Sequence, residues 1–289
     1  MEKRTKKRII VGLMCVGVIF SQAGCWYTNC YRLDATRYLE SRSDMTEQEI
    51  RKFIRKGNIE QKRLLQLAKS KSFQVRVIAA QNRHLPSEYL ERMLEDKSWK
   101  VVTACSWNPN FTKHMFEKLV HHKDYRVRGY LAEHKRLPIE NLITLSRDKS
   151  VTVRAHAAKN PRLPETEMRR LFLEGNPRVK EGLAENPKVP VDILITLSKE
   201  ESSLIRSKIA SNPSLPENDI RRMFSEKKIA SLKFGKWNLH RSTKAGLAKN
   251  PNTPIDILIE LSKDEIGYIR SNALRHPKME QYRKTAQDK

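Results

Sequence analysis

Aromatic side chains make up only 7% of the 289 residues, and glycine occurs ten times. Few aromatics argue against a large aromatic-lined ligand pocket. No glycine-rich phosphate cradle exists, because GxGxxG and GxxxxGK[ST] are both missing. There is no GxSxG nucleophile elbow and no HExxH pair. Cysteine is also scarce: Cys15, Cys25, Cys30 and Cys105 include no CxxC pair, so a zinc or iron–sulfur site has no support. The histidines (His84, His114, His121, His122, His134, His156, His240, His276) form no set with cysteines. These absences lead to an expectation of no catalytic residues, no metal, no cofactor and no small-molecule substrate.

Basic charge is abundant instead. The formal net charge is +24, which predicts attraction to nucleic acid, anionic lipid or acidic protein without choosing among them. A solvated lysine-rich surface explains the same excess. With 38% hydrophobic and 31% charged residues, the composition suits a helical protein with a modest core.

The N-terminus reads as an address. Lys3 to Arg8 is basic, Ile9 to Phe20 is apolar, and Ser21-Gln22-Ala23-Gly24-Cys25 is rich in small residues. That order describes an export signal over residues 1–24, and the apolar run is short for a membrane span of about 20 residues. Ala23-Gly24-Cys25 resembles the end of a bacterial lipoprotein signal, although Gln22 stands where leucine is usual. The resemblance implies lipidation of Cys25, which then becomes the new N-terminus. Cleavage after Ala23 and an uncleaved anchor are the alternatives. In each case the basic start stays inside and the body is exported. Residues 25–48 read as a tether, and Thr46 with Glu49 resembles a capping box that opens the helical body at 49–289.

Self-comparison carries the strongest signal. Segments beginning at Val75, Val101, Val127, Val153, Val179, Ile205, Thr243 and Ile269 align with a 26-residue step, broken once by a 12-residue insertion at about 229–240. A partial unit precedes them, with Ile59, Leu64 and Leu67 in register. Counting the first residue as zero, positions seven and eight are often Asn-Pro and positions ten and eleven apolar-Pro, as in Asn160-Pro161 and Leu163-Pro164. Asn-Pro ends a short first helix, because the residue before proline is pushed out of the α region. The second proline opens the second helix at a position needing no N–H. Apolar pairs such as Leu142 and Leu145, or Leu194 and Leu197, supply a stripe that only a neighbouring unit can cover. Position one is basic in Arg76, Arg128, Arg154, Lys180, Arg206, Lys244 and Arg270, and acids such as Asp148, Glu174, Glu200 and Asp264 lie six residues before the next base. This pattern predicts a charge ladder between layers. Cys105 falls in a small-apolar column; a Cys30–Cys105 disulfide is the other reading.

The Val-Arg-x-x-Ala-Ala-x-Asn-Pro-x-Leu-Pro pattern, plainest in Val153 to Pro164, resembles the leucine-rich repeat variant family. The resemblance covers Val75 to Met279 and implies an all-α, right-handed α-solenoid of HEAT-like helix pairs with a scaffold role. Some relatives carry an N-terminal cysteine cluster, which this chain lacks.

Three groups are candidates for binding. The insertion and its flanks hold Lys227, Lys228, Lys233, Phe234, Lys236, Trp237, His240 and Arg241, a mixture of bases and aromatics suited to an anionic partner. A helical extension packed on the stack explains the segment equally. Position nine holds His84, Arg136, Arg162, Lys188 and Lys278 along one edge, and Arg169-Arg170 with Arg221-Arg222 suggest a basic stripe on the second helices. The leading expectation is a membrane-attached, exported, non-enzymatic scaffold for an acidic protein or anionic envelope polymer. A nucleic-acid-binding stack and a structural envelope spacer are the alternatives.

Overall fold

The computed structural model describes residues 61–225 and 236–287. The proposed signal at 1–24, Cys25, Cys30, Ile59 and the tether at 25–48 lie outside them, as do Thr46 and Glu49. Seventeen helices and no strands occur among the described residues.

In chain order they are α1 (Gln61–Ala68), α2 (Phe73–Gln81), α3 (Ser87–Met93), α4 (Trp99–Cys105), α5 (Lys113–Val120), α6 (Tyr125–Ala132), α7 (Ile139–Ser146), α8 (Val151–Lys159) and α9 (Glu165–Leu173). Then come α10 (Pro177–Glu185), α11 (Val191–Leu197), α12 (Ser203–Ala210), α13 (Glu217–Ser225), α14 (Lys236–Leu247), α15 (Ile255–Leu261), α16 (Gly267–Leu274) and α17 (Pro277–Gln287). Even-numbered helices are the first helices of the units. Each packs on the next in series from α2 to α16, while each unit's second helix packs on the first helix of the following unit.

Local chemistry explains the boundaries. First helices begin two residues earlier than the apolar pattern predicts, and three of them start behind a residue whose side chain caps the first turn. Asp124 accepts a hydrogen bond from the Arg126 N–H, Asn176 from that of Arg178, and Ser202 from that of Ile205. First helices end at an extended residue before proline, as at Asn160 and Asn186. The second proline sits one residue before its expected place. Pro86, Pro138, Pro164, Pro190 and Pro254 are N-caps, whose carbonyls accept the first helical hydrogen bond. At Pro177 the first-turn position is occupied as the rule expects.

The apolar columns form the core. Leu90, Met93, Leu142, Leu145, Leu194, Leu197, Leu258 and Leu261 are all buried, each worth about 1.5–3 kcal/mol in transfer free energy. Leu64 and Leu67 of the partial unit are buried in the same way. Cys105 is a free thiol with no exposure, its Sγ directed at the Val101 carbonyl at 3.3 Å. Burial pushes its pKa up, so it behaves as a small apolar side chain.

Close approach between first helices depends on missing side chains. A Cβ at Gly182 would lie 2.2 Å from the Ala155 carbonyl oxygen, and one at Gly246 would lie 2.5 Å from that of Ser207.

Candidate interaction surfaces

The polar columns that recur from unit to unit hold the units together. At position seven, the Asn186 side chain accepts from the Lys188 N–H at 2.9 Å and donates to the carbonyls of Ala158 (2.8 Å) and Asn160 (2.9 Å) in the preceding unit. Asn108, Asn212 and Asn250 repeat that arrangement, and Asn160 repeats it with Ala132. Each amide thus satisfies carbonyls that proline and the helix end leave open. His134 and His276 stand in the same column. The Nδ1 atom of each accepts from the N–H two residues on. His276 reaches the Asn250 carbonyl at 3.0 Å, whereas the buried Nε2 of His134 has no hydrogen-bond partner.

Position one builds a second ladder, running to the acid twenty residues ahead rather than six behind. Arg76 pairs with Asp96, Arg128 with Asp148, Arg154 with Glu174, Lys180 with Glu200 and Lys244 with Asp264, at 2.6–2.7 Å. The carbonyl six residues behind is used as well: Arg154 donates to that of Asp148 at 2.7 Å, and Arg270 to that of Asp264. One aspartate therefore binds two units, the earlier through its carboxylate and the later through its carbonyl.

Two of the basic groups expected to face a ligand are engaged in the same way. Arg136 donates to the carbonyls of Asn108 (3.0 Å) and Phe111 (2.8 Å), and Arg162 to those of Lys135 (2.6 Å) and Leu137 (2.7 Å). Lys278 reaches the Thr253 carbonyl. Position nine is thus an inter-unit clamp at Arg136, Arg162 and Lys278. Lys188 is exposed, and His84 contributes its N–H to Asn82.

The double arginines are not a bare basic stripe. Arg169 pairs with Glu165 (2.8 Å) and Asp192 (2.7 Å), and Arg221 repeats this with Glu217 and Asp256 at the same distances. Arg170 binds Glu167 and the Ser146 carbonyl; Arg222 binds Asp219 and the Ser198 hydroxyl. Arg147, with Arg170 and Ser146, holds the buried Glu167 carboxyl down to about 2 against its burial. These interfaces alternate, so the stack from Val127 onward repeats in pairs of units. Comparing each unit with the next but one exposes that alternation: Glu165-Arg169-Arg170 matches Glu217-Arg221-Arg222.

Lys227, Lys228, Lys233 and Phe234 of the insertion lie outside the described residues. Lys236, Trp237 and His240 fall within α14, which begins five residues before the usual first-helix start. The last part of the insertion is therefore helical. Arg241 lies 5.4 Å from the Tyr268 ring centre and donates to its hydroxyl at 3.1 Å.

Another column was open to the same self-comparison. Four residues before each unit start stand Lys71, Lys97, Lys123 and Lys149, all exposed. Reading only the columns inside the helices and the Asn-Pro turn overlooks them.

Among the described residues, no helix is long and apolar enough to cross a membrane, and no three His, Cys, Asp or Glu side chains form a metal-holding group. Packing and polar ladders define an all-helical tandem repeat protein. No protein-family model matches the chain, and no curated protein matches it.

Proposed function

We propose that this chain is an exported, membrane-attached, non-enzymatic scaffold. In this reading residues 1–24 are removed, lipid is added at Cys25, and residues 25–48 tether a right-handed α-solenoid. The solenoid presents basic residues to an acidic protein or anionic envelope polymer.

The observation that carries the reading is a division of labour among the bases. Regular arginines such as Arg76, Arg128 and Arg154 are consumed in holding units together. The lysines of the loop column are left exposed at every layer from Lys71 to Lys149. A repeated stack stabilises itself through neighbour contacts, leaving an extended edge for a partner. The insertion, with Lys233, Lys236 and Trp237, is the second contact region proposed.

Mass spectrometry of the mature N-terminus tests the address. A diacylated Cys25 is expected; an unprocessed Met1 on cytoplasmic protein would sink it. Salt-sensitive binding to an anionic envelope polymer, stronger than DNA retardation, is expected of the body. Stronger retention of DNA instead would favour a nucleic-acid stack. Unchanged binding after joint replacement of Lys233, Lys236 and Trp237 would remove the insertion.

A further inference from the structure

The loop that leads from one unit's second helix into the next unit's first helix is unusually uniform at its N-terminal end. Lys71, Lys97, Lys123 and Lys149 occupy the same place in four consecutive units. All four are exposed, and none makes an ion pair with a described residue. Their positions follow from the repeat. The carbonyls of Lys71, Lys123 and Lys149 accept from Arg76, Arg128 and Arg154 at 3.0, 3.2 and 3.2 Å. The arginine ladder that binds the layers therefore also places three of the four lysines, and the column runs at one lysine per layer of about 8–10 Å.

Two residues further on, the first residue of α2, α4 and α6 is aromatic: Phe73, Trp99 and Tyr125. Lys100 lies 5.1 Å from the Phe73 ring centre and 5.9 Å from that of Trp99, and Arg126 lies 5.2 Å from that of Trp99. Cations over ring faces at these distances are held in place by the ring quadrupole. In later units the lysine column becomes Gly175, Glu201, Leu239 and Glu265, and the aromatic column becomes Val151 in the fourth unit and then Pro177, Ser203, Arg241 and Gly267. The edge is basic over four units and aromatic over the first three, and two of the four later units carry an acid there.

We propose that this edge, from Lys71 to Lys149, binds a linear phosphodiester polymer without bases, of the polyol-phosphate kind. The inference rests on the scaffold reading above and names its ligand class. A single file of lysines at layer spacing suits charges strung along a flexible chain, because each ammonium meets phosphate as a point charge on a mobile stem. Stacking bases needs uncovered ring faces. Here Lys100 and Arg126 lie over the rings of Phe73 and Trp99, so those rings serve to hold charge, and only Tyr125 of the three is left as an exposed ring, too few for a run of stacked bases. Glu201 and Glu265 repel a polyanion and confine it to the N-terminal units.

The test uses the full-length chain in mild detergent, with immobilised poly(glycerol phosphate) as probe over a series of salt concentrations. One variant carries Lys71→Gln, Lys97→Gln, Lys123→Gln and Lys149→Gln. A charge-matched control carries Lys135→Gln, Lys199→Gln, Lys249→Gln and Lys263→Gln, all exposed positions away from this column. Four Lys→Arg changes in the column give a variant that keeps the charge. Circular dichroism checks that each one folds.

The column variant is expected to lose at least about tenfold in affinity, with a salt slope shallower by roughly three on the single-strand scale. The control set and the Arg variant are expected to keep most of the binding, since distant exposed charges are screened. Equal loss in both Gln variants would overturn the proposal, because total charge would then explain the binding. Tighter binding to single-stranded homopolymeric DNA would also overturn it, in favour of base stacking. Preference for polyglutamate or anionic lipid vesicles would remove the ligand class but leave the scaffold reading intact. If the wild-type chain binds none of these polyanions, both readings fall together.

Discussion

The guanidinium of Arg128 closes on the carboxylate of Asp148 through two hydrogen bonds, Nε to Oδ2 at 2.6 Å and Nη2 to Oδ1 at 2.9 Å. Both side chains are below 10% exposure. Removing one partner from so buried a pair leaves the other charge stranded. Arg128→Ala is expected to cost about 3 kcal/mol. Lys180 makes the equivalent pair with Glu200 at 21% and 32% exposure. Lys180→Ala should cost under about 1 kcal/mol. Urea unfolding of the two variants measures the contrast, and equal losses would refute it.

The same pair sets an acid dependence. Burial opposes ionisation of Asp148, but the Arg128 hydrogen bonds, the Ser150 N–H and the charges of Arg128 and Lys149 outweigh it and hold its pKa below the usual value. The unfolded chain therefore takes up this proton first. The stabilisation is complete above about pH 4, the unfolded value, and fades as the pH falls through the lower folded value. Asp148→Asn should flatten the stability profile below pH 4, read by thermal unfolding across a pH series.

His134 should produce a second window nearer neutrality. Burial, then the positive charge of Arg136, pushes its pKa from 6.5 down to about 4. The unfolded chain binds the proton more tightly, so this contribution is full above pH 6.5 and is lost as the pH falls toward 4. His134→Asn restores the amide of the column and removes the titrating group. The variant's stability should change less between those two pH values than that of the parent chain; an unchanged slope would place the titration elsewhere.

Gly182 predicts a steric effect of definite sign. An added Cβ meets the Ala155 carbonyl oxygen at 2.2 Å and the Ala158 Cβ at 3.1 Å. Neither atom belongs to a flexible side chain, so α8 and α10 must separate. Gly182→Ala should destabilise by about 1–3 kcal/mol. At Gly129 the nearest atom is Cδ2 of the His156 ring at 3.3 Å, a half-exposed side chain that has to give by only a few tenths of an ångström. Gly129→Ala should therefore be close to neutral or stabilising by up to about 1 kcal/mol through helix propensity. Melting temperatures of the two variants decide the matter.

Asn186 tests the amide column. Asn186→Ala leaves an N–H and two buried carbonyls without this partner. A loss of about 3 kcal/mol is expected. Asn186→Asp matches the shape but turns an acceptor toward two carbonyls, so it should be at least as harmful. If aspartate is tolerated, the donated hydrogen bonds are not the important ones.

Much of this architecture was legible in the residues because each unit repeats the same local chemistry. Asn160-Pro161 ends a helix wherever it occurs, and Leu142 with Leu145 marks a buried face at helical spacing. The prolines were misplaced by one residue because proline fits either the cap or the first turn, and the preceding chain direction decides. The basic candidates were harder to read. Arg136 and Arg169 look alike in sequence, yet one clamps carbonyls of the preceding unit and the other bridges Glu165 to Asp192. Charge is visible in a sequence, but the partners that tie one unit to another, such as Asp192 for Arg169 and the Phe111 carbonyl for Arg136, lie twenty or more residues away.

By itself, the sequence determined the helix pair, the 26-residue period and the apolar columns, because these depend on contacts within one unit and its immediate copy. Only the tertiary structure decided which charges are used up between layers and which are left in solvent. That outcome depends on side-chain reach across the stack. Arg128 finds Asp148 within 2.6 Å, while Lys123, five residues before Arg128, is left in solvent.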